Sequence, residues 1–112
     1  MKKINLVIYG VTGSIGNSVL SIVRNNKERF NIEGITCNSK YKNLKKISEE
    51  FDVKKIGISN DIKNIKPYFS GKKVFVGIDS FHDIISSKTD VVIFAISGTQ
   101  AFDLILNIIK KG

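Results

Sequence analysis

The most informative segment of the sequence is residues 8–18, which read Ile8-Tyr9-Gly10-Val11-Thr12-Gly13-Ser14-Ile15-Gly16-Asn17-Ser18. It follows an apolar, β-branched run and opens a helix-like pattern, so it predicts the turn between a first strand and a first helix. Gly10 permits a tight turn out of the strand, and Gly13 lets a pyrophosphate approach the backbone. Gly16 lets the helix pack closely against the sheet. The G-x-x-G-x-x-G spacing is a variant that NADP-binding domains often carry, so the segment predicts a dinucleotide site.

Hydroxyl groups and free amides complete the predicted loop. Thr12 and Ser14 add hydroxyl donors, and the amides at the helix N-terminus supply a partial positive charge for phosphates. The loop residues predicted to bind cofactor are therefore Gly10, Thr12, Gly13, Ser14, Ile15 and Gly16. A phosphoryl-transfer P-loop is excluded, because Asn17-Ser18 follows the last glycine where that loop requires Lys-Ser/Thr. The remaining alternative is a glycine turn that only joins a strand to a helix.

Strand-like and helix-like patterns alternate along the chain. Strands are predicted at residues 3–9, 30–37, 54–58, 73–76 and 90–96, and helices at residues 14–24, 43–51, 61–69, 80–86 and 99–110. This alternation predicts βαβ units and therefore an α/β fold, a Rossmann-like doubly wound parallel sheet with helices on both faces.

Two helical stripes are predicted to face the core. The stripe of the first helix contains Ile15, Val19, Ile22 and Val23. The stripe of the last helix, which Gly112 is expected to end, contains Phe102, Ile105, Leu106 and Ile109. Both stripes follow the period of an amphipathic helix.

The end of the second predicted strand indicates which dinucleotide binds. In NAD-binding domains an Asp or Glu at this position accepts hydrogen bonds from the ribose hydroxyls. Here the strand ends in Asn38, Ser39 and Lys40, and Glu33 lies too early in the strand to serve. Asn38 and Ser39 can hydrogen-bond a 2′-phosphate and Lys40 can neutralise its charge, so the tip predicts NADP rather than NAD. The alternative for Lys40 is one more exposed lysine in a lysine-rich chain.

The length and composition of the chain limit the classes of protein to which it can belong. A chain of 112 residues with 42% hydrophobic residues is one small domain with a core. Its longest apolar run is far shorter than the roughly 20 residues that a membrane-spanning helix needs. The single cysteine, Cys37, cannot form an internal disulfide, which favours a reducing, cytoplasmic compartment, or the equivalent compartment of an organelle if the parent protein carries a transit peptide.

The net charge of +8 raises the question of nucleic-acid binding. The 18 basic residues include only Arg24 and Arg29 as arginines, the residue type best suited to bidentate phosphate contacts. The chain is also rich in isoleucine and asparagine, and an excess of these residues together with lysine is typical of an AT-rich coding sequence. We therefore expect no nucleic-acid partner, and we attribute the charge to solvated lysines.

The chain resembles the N-terminal NADPH-binding segment of the 1-deoxy-D-xylulose 5-phosphate reductoisomerase family. That family opens with a strand and a Gly-Ser-Thr-Gly-Ser-Ile-Gly loop, which this chain matches at residues 10–16 except for Val11. Residues 38–40 fall where the family places a basic and polar stretch around the 2′-phosphate, although the order of residue types differs. Residues 90–98 resemble a strand and loop that the family places near the nicotinamide.

The resemblance implies that residues 1–112 are an incomplete N-terminal NADP-binding domain, with the catalytic and C-terminal domains absent. The family rearranges 1-deoxy-D-xylulose 5-phosphate and reduces it with NADPH to 2-C-methyl-D-erythritol 4-phosphate, using Mg²⁺ or Mn²⁺, in non-mevalonate isoprenoid synthesis. The full-length parent is expected to be a homodimeric oxidoreductase acting on a sugar phosphate. The fragment itself is expected to bind NADPH without turnover, and to carry no catalytic or metal-binding residue. The alternatives are another NADP-dependent enzyme, epimerase-like or semialdehyde-dehydrogenase-like, or a non-catalytic nucleotide-sensing module.

Two Tyr-x-x-x-Lys patterns, Tyr41 to Lys45 and Tyr68 to Lys72, resemble the catalytic pair of short-chain dehydrogenases. Both lie in the wrong elements, so chance matches are the better interpretation. His82 has no second histidine or cysteine nearby in the sequence, which argues against a metal site.

Overall fold

The structure is a computed structural model that describes residues 2–96 and 99–111. Its strands are β1 (Ile4–Tyr9), β2 (Phe30–Cys37), β3 (Lys55–Ile58), β4 (Lys73–Val76) and β5 (Val91–Phe94). Its helices are α1 (Ser14–Arg24), α2 (Tyr41–Glu50), α3 (Ile65–Tyr68), a 3-10 helix (Ile78–Ile84) and α4 (Thr99–Lys111). The alternation predicted from the sequence is confirmed, although the helix predicted at residues 61–69 is only a single turn and the helix predicted at residues 80–86 is a 3-10 helix that begins at Ile78. The predicted loop Ser97-Gly98 and the predicted helix stop Gly112 lie outside the described residues.

The strands form a parallel sheet in the order β4-β3-β2-β1-β5 across the residues that the structure describes. The chain runs from β1 outward to β4 and then returns to place β5 on the other side of β1. This reversal makes the junction of β1 with its two neighbours a topological switch point. The Rossmann-like, doubly wound α/β fold is therefore confirmed.

The register between β1 and β2 contains a bulge. Leu6 lies opposite Ile32, whereas the next residue, Val7, lies opposite Gly34. Glu33 is thus the extra residue on β2. A bulge re-aims the side chain that it carries.

Two apolar layers cover the two faces of the sheet. The first layer packs α1, α2 and α3 on the sheet through Leu20, Leu44 and Ile65. The second packs the 3-10 helix and α4 through Phe81 and Leu104. Alternate residues of β1 contribute to each layer, as expected for a central strand buried on both sides.

The predicted stripe of α1 is wrong in two of its members. Ile15 and Ile22 are 61% and 58% exposed, and the buried residues of the helix are Gly16, Leu20 and Val23. Positions 16, 20 and 23 also follow the helical period, and only Gly16 lets the helix approach the loop before it. Because glycine has no side chain, α1 can pack closely at position 16, and the face of α1 that contains Gly16 is the buried one.

The predicted stripe of α4 is also rotated. Leu104 is buried, whereas Leu106 and Ile109 are exposed. The apolar residues of α4 are numerous enough that more than one of its faces could pack against the rest of the protein. Its contact with the 3-10 helix determines which face is buried. The structure describes no side chain for Phe102. Within residues 2–96 and 99–111, no helix has the length and apolarity to span a bilayer.

Candidate functional site

The glycine loop leaves the sheet at Gly10. This residue has φ +86°, a conformation that side chains rarely adopt. A Cβ at Gly10 would lie 2.9 Å from the carbonyl carbon and oxygen of Ala95. Both the turn and the close approach of Ala95, which directly follows β5, therefore require glycine at the predicted position.

The loop is anchored to the end of β2 by Thr36. The Gly10 amide donates to Thr36 Oγ1 at 2.9 Å, and the Val11 amide donates to the Thr36 carbonyl at 2.8 Å. The Thr36 side chain is fully buried. Two successive amides of the loop are thus held by one residue of the neighbouring strand.

Gly16 meets the loop rather than the sheet. A Cβ at Gly16 would lie only 2.4 Å from the Val11 carbonyl oxygen. The Val11 side chain itself is fully buried in the first apolar layer. The residue that departs from the loop of the resembled family is therefore part of the core.

The start of α1 is open to solvent. Gly13 precedes the helix with φ −85°, and the nearest atom to an added Cβ would be the Gly10 carbonyl oxygen at 4.0 Å. Within the described ranges no side chain caps the first amides of α1, and the first turn has no acidic residue. Ser14 and Ile15 are exposed there. Unsatisfied amides and the helix dipole together favour an anion at this end.

A cleft of about 300 Å³ lies at the carboxyl ends of the strands, at the switch point. We call it the strand-end cleft, and it is lined by Gly10, Thr12, Gly13, Thr36, Cys37, Asn38, Ser59, Ile78, Ala95 and Ile96. The structure therefore brings together four of the predicted residues, namely Gly10, Thr12, Gly13 and Asn38. Ser14, Ile15 and Gly16 do not line the cleft and lie in the first turn of α1 beside it.

The predicted phosphate-binding tip of β2 is divided between two concavities. Asn38 lines the strand-end cleft, and its carbonyl accepts the Asn60 amide at 3.0 Å. Ser39 and Lys40 instead line the α2 depression, a shallow concavity of about 330 Å³ whose other residues are Tyr41, Lys42 and Asn43. The described residues supply no side-chain cap to α2. The Tyr41 amide donates to the Ser39 carbonyl at 2.8 Å, so this depression combines cationic side chains with the next helix amides, those of Lys42 and Asn43.

Sequence reasoning assigned no role to Thr36, Ser59 and Ile78, three lining residues of the cleft. The rule that ligands bind beyond the carboxyl ends of parallel strands could have indicated Ser59, which directly follows β3. Ala95 and Ile96 were predicted inside the last strand, but β5 ends at Phe94. Because the strand ends before Ala95 and Ile96, these two residues line the cleft instead.

The two ionisable side chains of β2 bring no charge to the cleft. Burial raises the pKa of the Cys37 thiol to about 12, so this cysteine is protonated at neutral pH. Glu33 faces Lys55, Ser86 and Thr89, away from the cleft. Burial alone would raise the pKa of Glu33, but these hydrogen bonds outweigh it and lower the pKa. The carboxylate is thus excluded from ribose binding, as its early position in β2 predicts.

The chance-match interpretation of the Tyr-x-x-x-Lys patterns agrees with the geometry. Tyr41 packs edge-on against Tyr68 with ring centroids 5.1 Å apart, and Lys45 Nζ lies 4.4 Å from the Tyr68 ring centre. Neither tyrosine lines the strand-end cleft. Among the residues that the structure describes, no group of three His, Cys, Asp or Glu side chains could hold a metal ion.

Comparison with known proteins gives one consistent result. A family profile described as 1-deoxy-D-xylulose 5-phosphate reductoisomerase matches residues 6–112. A relative of that name from Pelagibacter ubique (strain HTCC1062) is 37% identical over 121 residues, which cover 98% of this chain and 29% of the relative. The chain thus spans about three tenths of the length of the curated relatives that it matches.

Solved structures agree with the sequence matches. The Zymomonas mobilis reductoisomerase in complex with NADPH has a TM-score of 0.87 at 23% identity, covering 98% of this chain and 30% of that chain. A DOX-P reductoisomerase in complex with NADPH, fosmidomycin and magnesium has a TM-score of 0.81 at 28% identity, covering 92% of this chain and 27% of that chain. These relatives favour neither an epimerase-like nor a semialdehyde-dehydrogenase-like enzyme.

Proposed function

The chain belongs to the 1-deoxy-D-xylulose 5-phosphate reductoisomerase family, and on that basis we propose that its residues bind NADPH as the cofactor-binding part of such an enzyme. The observation that carries the proposal is the open, uncapped start of α1 beside a cleft at the switch point of the sheet. A related structure at 28% identity holds NADPH. NADPH supplies the hydride for a reduction when it is bound.

The pyrophosphate fits the glycine loop. Gly13 leaves the approach to the first amides of α1 unobstructed, and the Thr12 and Ser14 hydroxyls can donate to phosphate oxygens. Negative charge at this helix end is favourable, because no carboxylate in the first turn competes for the amides. The residues present therefore fit the phosphates of a dinucleotide.

The 2′-phosphate fits the α2 depression. Ser39 can donate a hydrogen bond, and Lys40 and Lys42 bring positive charge to a helix end that has free amides. Asn38 lines the cleft and directly precedes Ser39 of the depression in the chain. We assign the 2′-phosphate to Ser39 and Lys40, and the adenosine to Asn38.

The activity of the parent enzyme follows from family membership. We propose the rearrangement and NADPH-dependent reduction of 1-deoxy-D-xylulose 5-phosphate to 2-C-methyl-D-erythritol 4-phosphate, in non-mevalonate isoprenoid synthesis. Residues 1–112 would serve as its N-terminal NADP-binding domain, in a cytoplasmic homodimer. We propose that the divalent metal of the parent enzyme is held outside residues 1–112. We expect this chain alone to bind NADPH without turnover.

Calorimetric titration with NADPH and NADH tests the proposal. NADPH should bind at least about tenfold more tightly, since a charge-assisted hydrogen bond contributes about 1.5–3 kcal/mol. Lys40→Glu should remove that preference and leave NADH binding unchanged. Lys88→Glu is the matched control, because it changes the same charge on an exposed residue in the loop before β5. Equal affinity for the two dinucleotides would contradict the assignment of the 2′-phosphate.

A further inference from the structure

Thr36 occupies the point where the β1–β2 ladder ends and the glycine loop begins. The last paired positions are Ile8 and Ile35, so Gly10 has already left the ladder when its amide needs an acceptor. Thr36 Oγ1 supplies that acceptor, and the Thr36 carbonyl takes the next amide. A side-chain oxygen thus extends the strand pairing by one step into the loop.

The Thr36 side chain is held in this orientation by its surroundings. It is fully buried, and a Cβ at Gly57 of β3 would lie 2.9 Å from Thr36 Cγ2. Gly57 therefore makes room for the methyl group on one side, while Oγ1 faces Gly10 on the other. Buried side chains confined in this way keep one rotamer.

We propose that Thr36 is a positioning residue for dinucleotide binding, which holds the glycine loop so that the amides after Gly13 meet the pyrophosphate. The inference rests on the proposed function. Without Oγ1 the Gly10 amide would be left without an acceptor at a part-buried position, which is unfavourable because the amide would lose the hydrogen bond that water gives it in the unfolded chain. The loop would escape this cost only by moving the amide toward water, away from the phosphate-binding geometry.

Loss of Thr36 Oγ1 should weaken binding of the pyrophosphate and leave binding of the 2′-phosphate unchanged. Ser39 and Lys40 lie in the α2 depression, beyond Asn38, and neither is hydrogen-bonded to Thr36 in the described part of the chain. A ligand with a 2′-phosphate and no pyrophosphate should therefore be insensitive to Thr36. Adenosine 2′-monophosphate is such a ligand.

The test is a titration of the 112-residue chain and its Thr36→Val and Thr36→Ser variants with NADPH and adenosine 2′-monophosphate. Valine keeps the shape of threonine and removes Oγ1, whereas serine keeps Oγ1 and removes the methyl group. We expect Thr36→Val to weaken NADPH binding about tenfold and to change binding of the monophosphate less than twofold. Thr36→Ser should stay within about threefold of the wild type for NADPH.

The possible results distinguish a failure of the proposed function from a failure of the inference about Thr36. A wild type that binds neither ligand overturns the proposed function, and the inference with it. A wild type that binds NADPH while Thr36→Val binds equally well overturns only the inference. Equal losses for both ligands also overturn it, because they indicate a general loss of structure.

Amide hydrogen exchange in the wild type covers the case in which Thr36→Val does not fold. The Gly10 amide should exchange at least about tenfold more slowly than the open amide of Ser14 at the start of α1. Similar exchange rates at the two positions would overturn the inference.

Discussion

Replacing Gly10 with serine should destabilise the fold, whereas the same replacement at Gly13 should weaken ligand binding and leave the fold intact. The two glycines belong to one loop and are three residues apart, so they form a matched pair. Gly10 has φ +86° and abuts the backbone of Ala95. Gly13 has φ −85° and open space around it.

The magnitude at Gly10 has two parts. A non-glycine residue in the positive-φ region costs about 1–2 kcal/mol. The new Cβ would also lie 2.9 Å from two backbone atoms of Ala95, and relieving such overpacking costs about 1–3 kcal/mol. We expect a loss of about 3 kcal/mol, a large part of the roughly 5–15 kcal/mol that stabilises a typical domain. For a chain of this size the loss lowers Tm by roughly 10 °C or more.

The expected change in stability at Gly13 is small. Its backbone conformation is accessible to any residue, and serine is a favoured residue at a helix N-cap. The free energy of unfolding should therefore stay within about 0.5 kcal/mol of the wild type. The serine Cβ would nevertheless stand where the pyrophosphate must approach, so NADPH affinity should fall.

Urea unfolding and thermal melts followed by circular dichroism measure both stabilities, and titration with NADPH measures binding to the folded variants. The reasoning is refuted if Gly10→Ser unfolds at the urea concentration and temperature of the wild type. It is equally refuted if Gly13→Ser binds NADPH with unchanged affinity.

Two further substitutions and one labelling experiment test other parts of the structure. Glu33→Gln should cost about 2 kcal/mol at neutral pH. Since the folded pKa of Glu33 is lowered, this contribution is full above the unfolded pKa and is lost as pH falls through the folded pKa. Urea titrations at several pH values should therefore converge in acid, and a pH-independent difference would contradict the charge argument. Tyr9→Phe leaves the Phe81 carbonyl without its buried donor and should cost about 1–2 kcal/mol in the same assay, whereas unchanged stability would show that the bond contributes nothing. Cys37 should react slowly with a thiol reagent at pH 8 until urea unfolds the chain, because burial raises its pKa to about 12; equal native and unfolded rates would contradict its burial.

Local patterns in the sequence were sufficient for the order of elements and for the turn after β1. Alternating apolar runs and breaks predict strands and helices without knowledge of long-range contacts. The requirement for glycine at position 10 was also visible, since a sharp turn out of a strand needs its backbone freedom. The order of strands, and hence the switch point, was not predicted and is given by the structure.

The orientation of side chains around these elements was less predictable. In α1 the sequence offers two apolar stripes, and the close contact of Gly16 with Val11 selects the one that is buried. In β2 the bulge directs Glu33 toward Lys55 and the loop before β5. Strand register depends on a partner that is distant in sequence, and the rotation of α1 depends on the contact that the folded loop makes, so the apolar pattern of each element alone specifies neither.

In the candidate site, too, some features depend on the local sequence and others on the tertiary structure. The sequence by itself determined the fold class, the glycine loop and the polar tip of β2, because each depends on residue types within a short segment. Only the tertiary structure placed Asn38 in the cleft and Lys40 in the α2 depression. It alone also joined Thr36 to Gly10, since these two residues are 26 positions apart and meet only when β2 pairs with β1.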